Sequence, residues 1–257
     1  MLRSHINRIT KSKVSVGIFV LMVLIPVWDA CQLFVEYLRL GGDKWHPAFA
    51  FFLAGSSIGH IPQYILLWFL PLFLLVIGTD DALQDYKTGY HHAIVSRIGL
   101  RSYLKEKLVF SFFTGFFVML FVLLVNFILV SILFYGGIYA KGLNEITFES
   151  DFINYTIEHP YFGVFLYSLL ACLLAGLAGM LGSACSLFFK DRKYTYAATF
   201  FLWFIFVMQE NSSMHIIQPF TEYGWLDIAP ALLVISASYI LISAVVYFYE
   251  VKKNEPI

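Results

Sequence analysis

Residues 108–135 read LVFSFFTGFFVMLFVLLVNFILVSILFY, an apolar run without a single charge. A bilayer core takes about 20 residues of α-helix, so this run crosses it with length to spare. It does not alternate apolar with polar residues, which argues against a barrel strand. Backbone groups in lipid must be paired within their own segment, so the run is a helix. Outward from it, five further runs read the same way, at 14–35, 60–78, 161–189, 194–209 and 229–249. The run at 194–209 is short, and residues of the following loop are expected to complete it. The expected fold class is an all-α integral membrane protein with six transmembrane helices in one domain, residues 1–257.

Composition agrees. Hydrophobic residues make up 60% of the chain and charged residues 13%, against roughly 45–50% and about 25% in soluble domains. So few polar groups cannot cover a soluble surface of this size, which argues against a soluble enzyme or a nucleic-acid binder. Cys31, Cys172 and Cys185 lie far apart in apolar runs and match no ligand spacing or disulfide framework.

Net charge is zero, but its distribution is uneven. Fourteen of the seventeen basic residues fall at the N-terminus (Arg3, Arg8, Lys11, Lys13), in the second connection (Lys87, Arg97, Arg101, Lys105, Lys107), in the fourth (Lys190, Arg192, Lys193) and at the C-terminus (Lys252, Lys253). Arg39, Lys44 and Lys141 remain for the other side. By the positive-inside rule both termini are cytoplasmic. The later outer connections are acidic, with Glu145, Glu149, Asp151 and Glu158 in one and Glu210, Glu222 and Asp227 in the other.

The surface segments carry more pattern than the spans. In residues 1–13, Leu2, Ile6 and Ile9 share one helical face among Arg3, Arg8 and Lys11. That reads as an interfacial helix, or as a basic tail that sets topology. The connection 79–107 is expected to start a helix capped by Thr79, with Asp80 and Asp81 in its first turn. Leu83, Tyr86, Tyr90 and Ile94 continue an apolar stripe that Gly89 interrupts, and a basic helix Arg101–Lys107 enters the third span. Residues 47–54 and 214–225 are apolar but too short to span, so they dip into the membrane only where protein covers them.

Within the spans, Ala175/Gly179 and Ala178/Gly182 are small-xxx-small pairs suited to close helix packing. Asn126 is expected to hydrogen-bond to a neighbouring helix and is a candidate cavity residue, and Asp29 is either interfacial or lines a cavity. Pro26 and Pro71 are expected to kink their helices, with neighbours satisfying the freed carbonyls.

Catalytic patterns are weak. No H-E-x-x-H and no G-x-x-x-x-G-K-[ST] occurs. Ser56, Ser57 and His60 in Gly55–His60 suggest a serine nucleophile loop without a partner His in a later span. An intramembrane enzyme and a non-transporting scaffold or sensor subunit remain the competing classes.

Asp85, Gly89, Arg101, Tyr103-Leu104 and Lys107, together with the layout of the whole chain, resemble the permease subunits of ABC-2 type ABC transporters. The proline that usually precedes the Arg is absent, with Ile98-Gly99 near its place, and the Arg-to-Lys spacing is one residue shorter. The small size also resembles permeases of bacteriocin and lantibiotic immunity exporters. The resemblance implies a multi-pass protein of the bacterial cytoplasmic membrane, with residues 1–13 as an elbow helix in contact with membrane lipid. It implies a coupling helix around Asp80–Ile94 that docks on a separate ABC ATPase, with Asp81, Leu83, Asp85, Tyr86, Gly89, Tyr90, Arg101 and Lys107 as coupling residues. It further implies a second permease, identical or related, and outward transport of an amphipathic peptide, lipid or drug-like molecule by alternating access. ATP and Mg would sit on the ATPase, leaving this chain with no cofactor, no metal and no catalysis, and with no nucleic-acid partner.

Overall fold

The computed structural model describes residues 2–146, 148–210 and 212–254. The described residues form an all-α fold. A short helix, α1 (Leu2–Lys11), turns at Ser12 into α2 (Lys13–Leu40), and the Ser12 hydroxyl caps the second helix by accepting from the Ser15 N–H. An irregular stretch with two single 3₁₀ turns leads to α3 (Ile61–Trp68) and α4 (Leu70–Leu74), which continues through a π turn at Leu75–Thr79. Two short helices follow, α5 (Asp81–Lys87) and α6 (Tyr90–Ile98), and then the long α7 (Leu100–Leu133). The chain ends with α8 (Asp151–Glu158), α9 (Pro160–Phe189), α10 (Arg192–Val207), α11 (Ser213–Ile217) and α12 (Trp225–Asn254).

Four of these, α2, α7, α9 and α12, are each long and apolar enough to cross a bilayer. The pair α3 and α4, with its π turn, adds a fifth crossing if counted as one span bent by 56°. The protein is therefore a helical, multi-pass membrane protein with four to five candidate spans. The run expected at 194–209 forms α10, whose 16 residues cover about 24 Å at about 1.5 Å per residue, short of a core of about 30 Å.

The bend has a local cause. Pro71 has no N–H to offer the carbonyl of Leu67, four residues earlier, and the helix breaks at Phe69. The freed Leu67 carbonyl accepts instead from the Trp203 indole of α10 at 3.1 Å. That partner keeps a broken helix affordable in an apolar setting.

Helix α9 is the centre of the bundle and packs on α4, α5, α7, α10, α11 and α12. Its small residues explain why. Ala175, Ala178, Gly179 and Gly182 are all buried. A Cβ on Gly179 would lie 2.4 Å from the Ser111 carbonyl oxygen, and one on Gly115 of α7 would lie 2.3 Å from that of Ala175. The α7 and α9 backbones therefore touch, which side chains at these positions would prevent. Gly182 faces Leu75 and Thr79 of the π turn instead.

Residues 47–54 are wholly buried, although the backbone there is irregular. Asn126 holds the segment in place: its side-chain oxygen accepts from the Phe52 N–H at 3.0 Å, and its amide donates to the Pro26 carbonyl at 2.9 Å. Lys141 donates to the carbonyls of Ala54 and Gly55 at 3.0 and 3.2 Å. At 214–225 the apolar stretch begins inside the short helix α11, whose Ile216 and Ile217 are buried.

Candidate functional site

At the end of the bundle that carries most of the basic residues, three helices converge on two carboxylates. Asp81 and Asp85 stand four residues apart and so share a face of α5. Tyr103 and Lys107 have the same spacing on α7, and His5 and Arg8 are three apart on α1. Lys107 Nζ lies 2.7 Å from Asp81 Oδ2 and 2.7 Å from Asp85 Oδ2, bridging the pair. Arg8 contacts Asp81 and lies 2.7 Å from Asp85 Oδ1. His5 Nδ1 is 2.7 Å from Asp81 Oδ2, with its ring stacked on Phe110. The Tyr103 hydroxyl donates to Asp85 at 3.1 Å.

Asp85 is fully buried and Lys107 is 3% exposed. Charges so placed persist only when paired and hydrogen-bonded, and here two anions meet two cations. Burial alone raises the Asp81 carboxyl. The hydrogen bond from His5, the charge and hydrogen bond of Lys107 and the hydrogen bond of Arg8 nevertheless hold it well below the usual carboxylate range.

Neighbouring Asp80 behaves oppositely. Burial raises its carboxyl, and the Arg192 guanidinium at 3.3 Å with the Tyr196 hydroxyl at 3.1 Å only partly offsets this. Asp80 thereby ties the same segment to α10. A third link runs through Tyr86, whose ring stacks on His91 at 4.4 Å and lies beneath Lys190 at 4.6 Å. Lys190 in turn lies 3.5 Å from Glu250 of α12. Segment 80–91 is thus bound to α1, α7, α10 and α12 by polar side chains.

The local backbone follows from the sequence in most places. Gly89, at φ +70°, ends α5 and starts α6. A Cβ there would meet nothing within 4 Å, so the backbone conformation is what calls for glycine. Thr79 does not cap α5: it closes the preceding π turn, its hydroxyl is buried without a hydrogen-bond partner, and the helix begins after Asp80. The extra residue of the π turn displaces Thr79 from the capping position. Gly78, in that turn at φ +152°, lies beneath Ile9 of α1.

Of the residues singled out for coupling, the structure brings Asp81, Asp85 and Lys107 into direct contact. Leu83 is buried beside them and Tyr86 is half-buried. Gly89, Tyr90 and Arg101 lie at the exposed surface, with Arg8 5.4 Å above the Tyr90 ring. Sequence reasoning passed over His5, Tyr196 and Glu250, and it placed Arg8, Asp80 and Arg192 only as an interfacial charge, a first-turn acid and a topology-setting charge. The i, i+3 spacing of His5 and Arg8 was a readable signal that α1 has a polar face as well as an apolar one. Pairs such as Asp80 and Tyr196 are 116 residues apart and left no such signal.

Asp29 and Asn126 are both buried and hydrogen-bonded within the bundle. Asp29 accepts from the Ser57 hydroxyl, and Ser56 donates to the Phe49 carbonyl. These contacts anchor the loop at 55–60. Among the described residues, no group of three or more His, Cys, Asp or Glu side chains is placed to hold a metal ion.

Comparison with curated proteins finds 41% identity over 255 residues with the Bacillus subtilis (strain 168) protein described as "Uncharacterized protein YybM", covering 99% of this chain and all of that relative. No family model matches the chain, and no solved structure matches it.

Proposed function

The chain belongs to the family of Bacillus subtilis YybM, and we propose that it is the membrane-spanning permease subunit of an ATP-driven exporter of the ABC-2 type. In this reading it lies in the bacterial cytoplasmic membrane with both termini inside. It crosses six times, the sixth crossing being α10 extended by the residues after it. A separate ABC ATPase binds ATP and Mg, and a second permease, identical or related, completes the transporter.

One observation carries the reading: the ionic cluster joining α1, α5 and α7. Transport needs movement at the cytoplasmic surface to reach the spans. Here Asp81 and Asp85 of the surface segment are paired with Lys107 at the foot of a 34-residue helix, and with His5 and Arg8 of the helix leading into α2. A push on the α5–α6 turn is therefore transmitted to two spans through buried, directional contacts. The outer face of that turn, with Gln84, Lys87, Thr88, Gly89 and Tyr90, is exposed and forms the docking surface for the ATPase. The cargo is an amphipathic peptide, a lipid or a drug-like molecule, which apolar spans accommodate without a charged relay.

The test is purification of the tagged chain from cells that also express an ATPase encoded beside it. A Walker-motif protein is expected to co-purify, and Tyr90→Ala is expected to weaken that association while the spans remain folded. A stable complex without any ATPase, still able to move substrate, refutes the proposal.

A further inference from the structure

A groove of about 870 Å³ lies between α1, the first turns of α2 and the near half of α7, walled by Ile6, Ile9, Phe19, Phe110, Phe113 and Phe117. Its walls are almost wholly apolar, and it opens sideways, since Val16, Val109, Phe113 and Phe117 are exposed. Both α2 and α7 are candidate spans, so the opening faces lipid. An apolar recess of this size beside acyl chains fills with hydrocarbon, because water there would meet almost no polar partners.

The charge at its mouth selects among lipids. Outside the lining itself, Lys13 stands one turn before the lining residue Val16 on α2 and Lys105 one turn before the lining residue Val109 on α7, and both lysines are exposed. Lys11, the last residue of α1, is exposed two residues before Lys13. The acidic side chain in the wall, Glu106, lies 3.8 Å from His5 of the cluster described above. A second apolar groove, about 260 Å³ between α7 and α9 and lined by Phe116, Leu123 and Phe165, has no charged residue in its lining.

We infer that the larger groove is a binding site for one acyl chain of an anionic phospholipid, with its headgroup at the lysine-flanked mouth. The lipid wedges α1 against α7 and so supports the helix that supplies His5 and Arg8. This goes beyond the permease reading and does not rest on it, since it requires only two spans, an interfacial helix and lipid.

The experiment uses the full chain in vesicles of equal phosphatidylglycerol and phosphatidylcholine. Phe113 is replaced by photoreactive benzoylphenylalanine, and in a second preparation Phe165 is replaced instead. After illumination, intact mass identifies what each probe has captured. The probe at 113 is expected to capture phosphatidylglycerol in preference to phosphatidylcholine, by about fivefold per flanking lysine, while the probe at 165 shows no preference. Lys13→Gln with Lys105→Gln is expected to abolish the preference at 113, and an unchanged melting temperature in detergent shows that the double variant is folded. Equal capture of the two lipids at 113 overturns the inference. So does a preference that survives the double substitution, or a probe at 113 that captures a second copy, another protein or nothing. None of these outcomes bears on whether an ATPase co-purifies, so the two readings fail separately.

Discussion

The carboxylates at the basic end and the carboxylate within α2 are buried by different means. Asp81 and Asp85 meet full charges, Arg8 and Lys107, contributed by two other helices. Asp29 accepts from the Ser57 hydroxyl, with Lys141 committed to two backbone carbonyls nearby. The first arrangement couples helices, because each ion pair joins separate elements and breaking one leaves a charge stranded. The second fixes a loop, because its bonds end on irregular backbone that lipid would not solvate. The contrast is between ion pairs that tie helices together at one end and hydrogen bonds that secure irregular backbone at the other.

The largest effect should come from breaking the ionic cluster on one side only. Lys107→Met leaves Asp81 and the buried Asp85 to share Arg8, and the loss of one partner from a buried pair is expected to cost about 3–5 kcal/mol, read as lost thermal stability in detergent. Adding Asp85→Asn should restore part of the loss, since removing both partners of a buried pair is cheaper than removing one. If Lys107→Met leaves the melting temperature unchanged, the two ends do not differ as described.

The loop-fixing polar groups should matter less. Asn126→Leu leaves the Phe52 N–H and the Pro26 carbonyl without their partner and should cost about 1–3 kcal/mol. A loss as large as that of Lys107→Met would erase the distinction. Gly115→Ala tests the close backbone contact between α7 and α9. The added methyl group meets the Ala175 backbone, and an overpacking cost of about 1–3 kcal/mol is expected. Gly89→Ala, strained only by its backbone angle, should cost about 1–2 kcal/mol.

The smallest and most specific effect is in pH dependence. Asp81 is depressed in the folded protein, so its stabilisation is present above the unfolded carboxyl value of about 3.9 and is lost as pH falls below it towards the folded value. Asp80 is raised, so its contribution favours the folded state in acid and is lost as pH climbs from about 3.9 towards its folded value. Melting curves across this range should show a flattened acid limb for Asp81→Asn and a relative gain towards neutral pH for Asp80→Asn. Parallel curves for the two variants would show that these neighbours share one environment.

Much of the fold was legible because the bilayer imposes a simple rule on sequence: a long uncharged run must be a helix. The runs at 14–35, 161–189 and 229–249 each lie within a helix of the structure, and the run at 108–135 overruns the end of α7 by two residues. Pro71 announced a break but not its partner, since nothing in residues 60–78 points to Trp203. The site was half legible. Asp85, Tyr103 and Lys107 stood among the residues that carry the family resemblance, while Arg8 was read only as a surrounding of an apolar face and His5 was not read at all. A periodic pattern reports which face a helix buries, and it cannot report what that face meets.

Sequence by itself thus determined that this is a helical membrane protein, that its basic residues gather in a few stretches of the chain, and that Gly89 interrupts the apolar stripe between Tyr86 and Tyr90. These follow from transfer energies and backbone sterics, which act residue by residue. Only the tertiary structure decided that α9 is the centre, that Asn126 and Lys141 secure an irregular segment, and that six charged or titratable side chains from three helices form one cluster. Those outcomes depend on distances between residues remote in the chain, and short contacts between buried charges exist only once the helices have packed.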